Sequence, residues 1–239
     1  MPVHTVIMVR AGILSAWHRL SAGVQSACVL LMAKPVYWPA GTTGGEANPQ
    51  ARKWRINAVS PLERDAKEFA TLAHAAAGNT RKFVGGPYIA HPAEVVSILR
   101  RYTDDPATLA AGWLHDVKDD AGITHDELCC RFGVEVAEIV EALSADVTMV
   151  KLPRRERVAI AIAKLSVATA KAHNVRAADI ISNSRSIAQR DPRFARTYLP
   201  EKAGTLLVAT LAFPDLLAEA WCVVHNAAQS LSPELKIPA

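Results

Sequence analysis

From Ser60 onward, apolar residues recur at intervals of three and four, and the alternating β-branched runs that strands need are missing. The pattern predicts one helix after another. Ser60 followed by Pro61 is a start signal, because a serine hydroxyl accepts an orphan N–H of the first turn and proline fits the first helical position. Leu62, Ala66, Phe69 and Ala73 then mark a buried stripe that ends before Gly78. A loop from Gly78 to Tyr88 carries Arg81, Lys82, Gly85, Gly86 and Pro87 and opens into a short helix beginning around His91 and Pro92. Asp105 and Pro106 start a third helix to about Asp119, with Leu109, Trp113 and Leu114 available for the core. Thr124 with Glu127 forms a capping box for a fourth. Further helices are predicted at 134–144, 154–173, 175–190, 197–212 and 214–228. The expected fold class is all-α.

Composition divides the chain. Gly41, Gly44, Gly45, Asn48 and Pro49 read as a linker, and the residues before it carry Arg10, Arg19 and Lys34 but no acidic side chain until Glu46. Residues 1–59 are therefore read as an acid-poor, poorly ordered extension or the product of a start placed too far upstream. A targeting segment is the alternative, since such peptides are also acid-poor. Residues 60–230 form one domain, because half of the 239 residues are apolar and 21% charged, which suits a packed core rather than disorder. Lys and Arg exceed Asp and Glu by only 27 to 23, so no nucleic-acid partner is indicated, whereas a small anionic substrate fits. Cys28, Cys129, Cys130 and Cys222 show no paired C-x-x-C spacing, which favours a reducing, cytoplasmic setting over a disulfide framework. No stretch approaches the roughly 18 to 20 apolar residues needed to cross a bilayer, so no membrane partner is expected.

The residues that carry chemistry are His91, the adjacent pair His115 and Asp116, and Asp179, each predicted on a helix in an apolar setting. Singly, His91 reads as a helix-start residue and Asp179 as an exposed carboxylate. The pair is stronger: in Ala-Gly-Trp-Leu-His-Asp-Val, a structural account leaves a buried His and Asp in need of partners. Two imidazoles and two carboxylates suit a divalent transition metal better than calcium, and facing helices of a bundle can build such a site around a central ion. Adjacent helical residues diverge by about 100°, so His115 and Asp116 reach one ion only if it lies in a groove between helices. Asp119 and Asp120 follow one turn later on the same face, and Asp119 is the choice for the base that takes a proton from water. Asn183, one turn past Asp179, is placed to orient a water or a substrate hydroxyl. Arg81 and Lys82 precede the Gly-Gly-Pro turn near His91, where they can grip a phosphate, and Arg176 adds a cation near Asp179. His74 is assigned to structure, and His125, His173 and His225 to surface or cap positions.

These segments resemble the HD-domain superfamily, and within it the (p)ppGpp hydrolase branch of small alarmone hydrolases and the hydrolase domain of RelA/SpoT enzymes. The matching pieces are Arg81-Lys82, Gly86-Pro87-Tyr88-Ile89-Ala90-His91-Pro92, Trp113-Leu114-His115-Asp116, Asp119-Asp120, Phe132-Gly133, and Val175-Arg176-Ala177-Ala178-Asp179 with Asn183. The resemblance spans roughly residues 61 to 220. It implies an HD-domain helical bundle with a central metal site, in which one manganese ion (Mn2+), or another divalent transition metal, serves to remove the 3′-pyrophosphate of guanosine tetra- or pentaphosphate. It further implies His91, His115, Asp116 and Asp179 as metal ligands, Asp119 in the catalytic acid/base position with Asp120 as its partner, and Arg81, Lys82 and Asn183 as substrate-binding residues. The family's usual Glu-Asp stands here as Asp119-Asp120, Lys118 replaces an apolar or small residue and is placed to pair with Asp119 or touch a phosphate, and the Lys-Leu-Ala-Asp pattern reads Arg176-Ala177-Ala178-Asp179. Too little chain follows residue 230 for the family's companion synthetase domain. The expected partner is a small-molecule nucleotide, with a homo-oligomer allowed. Hydrolysis of another nucleotide, including an antitoxin-type role, and a non-catalytic nucleotide sensor that keeps its metal are the alternatives.

Overall fold

In the computed structural model, which describes residues 59–80, 86–145 and 151–231, Ser60 caps the first helix as its position predicts. Its Oγ accepts the Glu63 N–H at 3.1 Å, and Pro61 begins α1 (Pro61–Ala76). The chain continues through α2 (Ala90–Leu99), α3 (Pro106–Leu114), α4 (Val117–Ala121), α5 (His125–Phe132) and α6 (Val134–Leu143). It then forms α7 (Arg154–Ser166), α8 (Ala170–Ser184), α9 (Ile187–Arg190), α10 (Pro192–Val208) and α11 (Pro214–Ser230). Among the described residues there is no strand, only an isolated antiparallel bridge between Thr80 and Pro87. The fold is all-α. None of the described helices is long and apolar enough to cross a membrane.

Two helices form the centre. In α3 every residue from Ala107 to Leu114 is buried, as a helix apolar on all sides requires, and it packs against α1, α2, α6 and α8. The other, α8, touches α2, α3, α6, α10 and α11. The approach of α2 to α3 depends on Gly112, where a Cβ would lie 2.9 Å from Leu99 Cδ1 and 3.0 Å from Val96 Cγ2.

Several boundaries differ from those that apolar spacing predicts. The helix expected from Asp105 to about Asp119 breaks at His115-Asp116, where Asp116 sits at φ −106°, ψ −6°. The helix expected over 154–173 stops at Ser166, and Thr169 starts the next by accepting the Ala172 N–H, so α8 begins before 175 and ends at Ser184 rather than 190. Asp191 accepts the Phe194 N–H at 2.9 Å and starts α10 at Pro192, not 197. Each difference lies at a cap or turn, which acts through local hydrogen bonds that apolar periodicity does not register. On α1 the buried stripe is Glu63, Ala66, Ala70 and His74, while Leu62, Phe69 and Ala73 are only partly covered. Arg100 and the Trp113 indole N–H satisfy the Glu63 carboxylate, which lets a charged residue occupy the core side.

His173 is not a surface residue. It is 1% exposed; its Nδ1 accepts the Leu211 N–H at 3.1 Å, and Nε2 therefore donates to the Leu165 carbonyl at 2.8 Å. One neutral imidazole thus ties the last turn of α7 to the turn before α11, and burial lowers its pKa in keeping with that role.

Candidate metal centre

The break between α3 and α4 is what gathers the polar residues. His115 closes α3, Asp116 opens α4, His91 stands in the first turn of α2, and Asp179 lies in the middle of α8. Potential ligand atoms of His91, His115 and Asp116 all fall within 4.8 Å of one another. His115 Nε2 is 3.2 Å from His91 Nε2 and 3.1 Å from Asp116 Oδ2, and His91 Nε2 is 3.5 Å from the same oxygen. Asp179 joins through the imidazoles, its Oδ1 lying 3.3 Å from His91 Nε2 and 3.8 Å from His115 Nε2. Donors about 2.1 Å from a shared ion stand about 3.0 Å apart at right angles and about 3.4 Å apart in a tetrahedron, so these spacings fit one transition-metal ion.

The hydrogen bonds behind the cluster fix its chemistry. His115 Nδ1 lies 3.0 Å from the Gly112 carbonyl; a carbonyl only accepts, so Nδ1 donates and Nε2 can turn its lone pair to the centre. His91 Nδ1 is held 3.1 Å from Ser182 Oγ, which likewise leaves Nε2 facing inward. The Tyr88 hydroxyl donates to Asp116 Oδ2 at 2.7 Å, and burial together with the Asp116 charge pushes its pKa far above the usual phenol range, so it stays a donor. Arg176 Nη1 donates to Asp179 Oδ2 at 2.9 Å, and Asn183 Nδ2 donates to Asp179 Oδ1 at 2.6 Å. Outer contacts of this kind hold ligands in place for a metal.

Electrostatics point the same way. Burial resists ionisation of Asp116 and Asp179, yet the imidazoles, and for Asp179 also Arg176, hold both carboxyls well below their ordinary range. Burial likewise resists charging His115, but the Asp116 and Asp179 carboxylates outweigh it and push that imidazole up to about 10. The pocket attracts positive charge, and a divalent cation is the species that meets two carboxylates and two inward lone pairs together.

Asp119 and Asp120 lie on α4, close behind the cluster. Both Asp119 oxygens accept the Ala145 N–H, at 3.0 and 3.1 Å, and partial desolvation followed by the Asp116 charge raises the pKa of each acid. Lys118 does not pair with Asp119: its Nζ pairs with Glu141 on α6 at 2.7 Å, because adjacent helical residues point about 100° apart. Asn183 sits where expected, one turn past Asp179, but its amide is engaged by that carboxylate. Arg81 and Lys82 lie outside the described residues. Ser182 and the Tyr88 hydroxyl went unassigned in the sequence, although each is a polar residue beside an apolar stretch and within reach of a candidate ligand. His74, assigned to structure, is buried; its Nδ1 is 3.1 Å from Asn79 Nδ2, and its ring packs 4.5 Å from that of Tyr88.

Similarity to known proteins follows this geometry. Over 64 residues the chain is 44% identical to a probable guanosine-3′,5′-bis(diphosphate) 3′-pyrophosphohydrolase of Synechocystis sp., a match covering 27% of this chain and 8% of that protein. Over 96 residues it is 38% identical to the bifunctional (p)ppGpp synthase/hydrolase SpoT of Escherichia coli, covering 40% of this chain and 12% of that protein. The chain thus spans a small part of the length of these relatives. Among solved structures, a metazoan ortholog of SpoT described as hydrolysing ppGpp superposes with a TM-score of 0.63 at 20% identity, covering 70% of this chain and 96% of that one, and shares the fold. The family model described as HD domain matches residues 66–203, more than half of the sequence, and the chain belongs to the HD-domain family.

Proposed function

We propose that this protein is a metal-dependent phosphohydrolase, and that its substrate is guanosine-3′,5′-bis(diphosphate) or its pentaphosphate counterpart, from which it removes the 3′-pyrophosphate. The observation that carries this reading is the convergence of His91, His115, Asp116 and Asp179 from three separate segments, with both imidazoles turned inward by their outer hydrogen bonds. The partial matches to (p)ppGpp hydrolases support the substrate class. Manganese is the proposed metal, since a mixed imidazole and carboxylate donor set suits it.

When bound, such an ion acidifies water and draws electron density from a phosphoryl oxygen. The four ligands would hold it, while Tyr88, Arg176 and Asn183 keep the two carboxylates from turning away. Asp119, pinned by the Ala145 N–H and with its pKa raised, takes a proton from the attacking water. As the water oxygen bonds to phosphorus, the bond from phosphorus to the 3′ oxygen breaks, and the leaving ribose oxygen takes the proton that Asp119 accepted from the water. Asp120 assists Asp119, and Arg81 and Lys82 bind the substrate.

Pyrophosphate release from guanosine-3′,5′-bis(diphosphate) with manganese tests the reading. Wild-type protein should release pyrophosphate, and Asp116→Ala should fall below detection. Manganese-loaded wild-type protein that releases none would refute it.

A further inference from the structure

Asp119 and Arg176 also line a cavity of about 200 Å³, which is bordered by α7, α10 and the end of α6. Four cationic side chains line it, Arg157, Lys164, Arg176 and Lys202, against the two carboxylates of Asp119 and Glu201. Most of this charge is already matched. Lys164 pairs with Glu141 at 2.9 Å and reaches the Ser144 carbonyl, Arg176 is spent on Asp179 and the Leu143 carbonyl, and Glu201 takes a two-point bond from Arg154. Two cations remain. Among the described residues the Arg157 side chain shows no hydrogen bond or ion pair, and the Lys202 ammonium shows only the Tyr198 ring, 4.9 Å from its Nζ. Burial and the nearby Arg176 hold the Lys202 ammonium below its ordinary pKa. The two carboxylates that line the cavity are already bonded, Asp119 to the Ala145 N–H and Glu201 to Arg154, so a bound anion is what would balance a partly buried ammonium there.

We propose that this cavity is a subsite for a diphosphate, and that Arg157 and Lys202 recognise the 5′-diphosphate of the nucleotide whose 3′-pyrophosphate is cleaved. The assignment rests on the hydrolase reading, and the chemistry of that substrate calls for it. A bis(diphosphate) carries two polyanionic arms, and the cluster of His91, His115, Asp116 and Asp179 can serve only one. The cavity is too small for a whole nucleotide but suits a diphosphate, and it adjoins the ligand cluster, because Arg176, which is bonded to Asp179, is part of its lining. A guanidinium and an ammonium on opposite helices, α7 and α10, clamp an anion from two sides.

Calorimetric titration with GDP, which has the 5′-diphosphate and no 3′ group, tests this without turnover. Manganese-loaded wild-type protein, Lys202→Met and Arg157→Gln are compared, with guanosine and inorganic pyrophosphate as further probes. The expected result is GDP binding weakened at least tenfold in each variant while guanosine binding is unchanged. GDP binding equal in all three proteins, or absent from the wild type, overturns the proposal. Weakened pyrophosphate binding with unchanged GDP binding also overturns it, since the cavity would then take a free anion. Because GDP is not hydrolysed, a chain that fails to cleave the bis(diphosphate) but loses GDP affinity in Lys202→Met would sink the hydrolase reading and leave the diphosphate subsite standing.

Discussion

Asp179 is a residue whose role depends on its neighbours more than on itself. Its two oxygens are claimed from outside by Arg176 and Asn183 and face two imidazoles on the inside. Asn183 was legible as a polar residue on the right helix face, but not as a positioning residue, because spacing gives the face and not the partner of an amide. Asn183→Ala should leave the fold intact and lower manganese affinity by about 10- to 100-fold, the usual cost of losing an outer contact to a ligand. Titration of the two proteins with manganese reads this directly, and unchanged affinity would mean that Arg176 alone fixes the carboxylate. His173 illustrates the opposite case. A histidine near a helix start reads as a cap, and only the arrival of the Leu165 and Leu211 backbones converts it into a buried clamp.

Among the elements, α3 was the most legible, since an unbroken run of buried, mostly apolar residues from Ala107 to Leu114 has no place but the centre, whereas the polar residues of α8 hid its start at Ala170. The break after Leu114 was not legible, because Trp-Leu-His-Asp-Val continues the helical periodicity and the interruption depends on what Asp116 meets in space. Gly112 sets the closeness of α2 and α3 one turn before His115, and its carbonyl also orients that imidazole. Leu99 is fully buried and Val96 nearly so, so neither can swing aside for a new methyl group. Gly112→Ala would gain about 1 kcal/mol of helix propensity but incur about 1–3 kcal/mol of overpacking. Urea denaturation should therefore report a net loss of about 1 kcal/mol. A gain in stability would show that the crossing is looser than the contacts imply.

For the whole molecule, the donors come from positions 91 to 179 and meet only in the folded chain. A metal that binds the folded state and not the unfolded one stabilises by mass action, about 2.7 kcal/mol at one hundred times the dissociation constant. In a domain of this size that is a rise in melting temperature of about 5 °C or more. Thermal melts with manganese and with a chelator should differ by this amount in the wild type and coincide in Asp116→Ala. Coincident wild-type melts would mean that the cluster does not hold the ion.

The sequence by itself determined the helical class, because apolar residues at three- and four-residue spacing can bury a continuous stripe only as helices. It also determined the residue types of the candidate centre, because a buried His-Asp pair in an apolar helix needs a partner of its own chemistry. Tertiary structure alone decided where α3 ends, which face of α1 is buried, that Lys118 turns to Glu141, and that Arg157 and Lys202 line one cavity with Asp119. These depend on which groups meet across α4, α6, α7, α8 and α10, and distances between segments far apart in the chain are set by packing, not by local spacing.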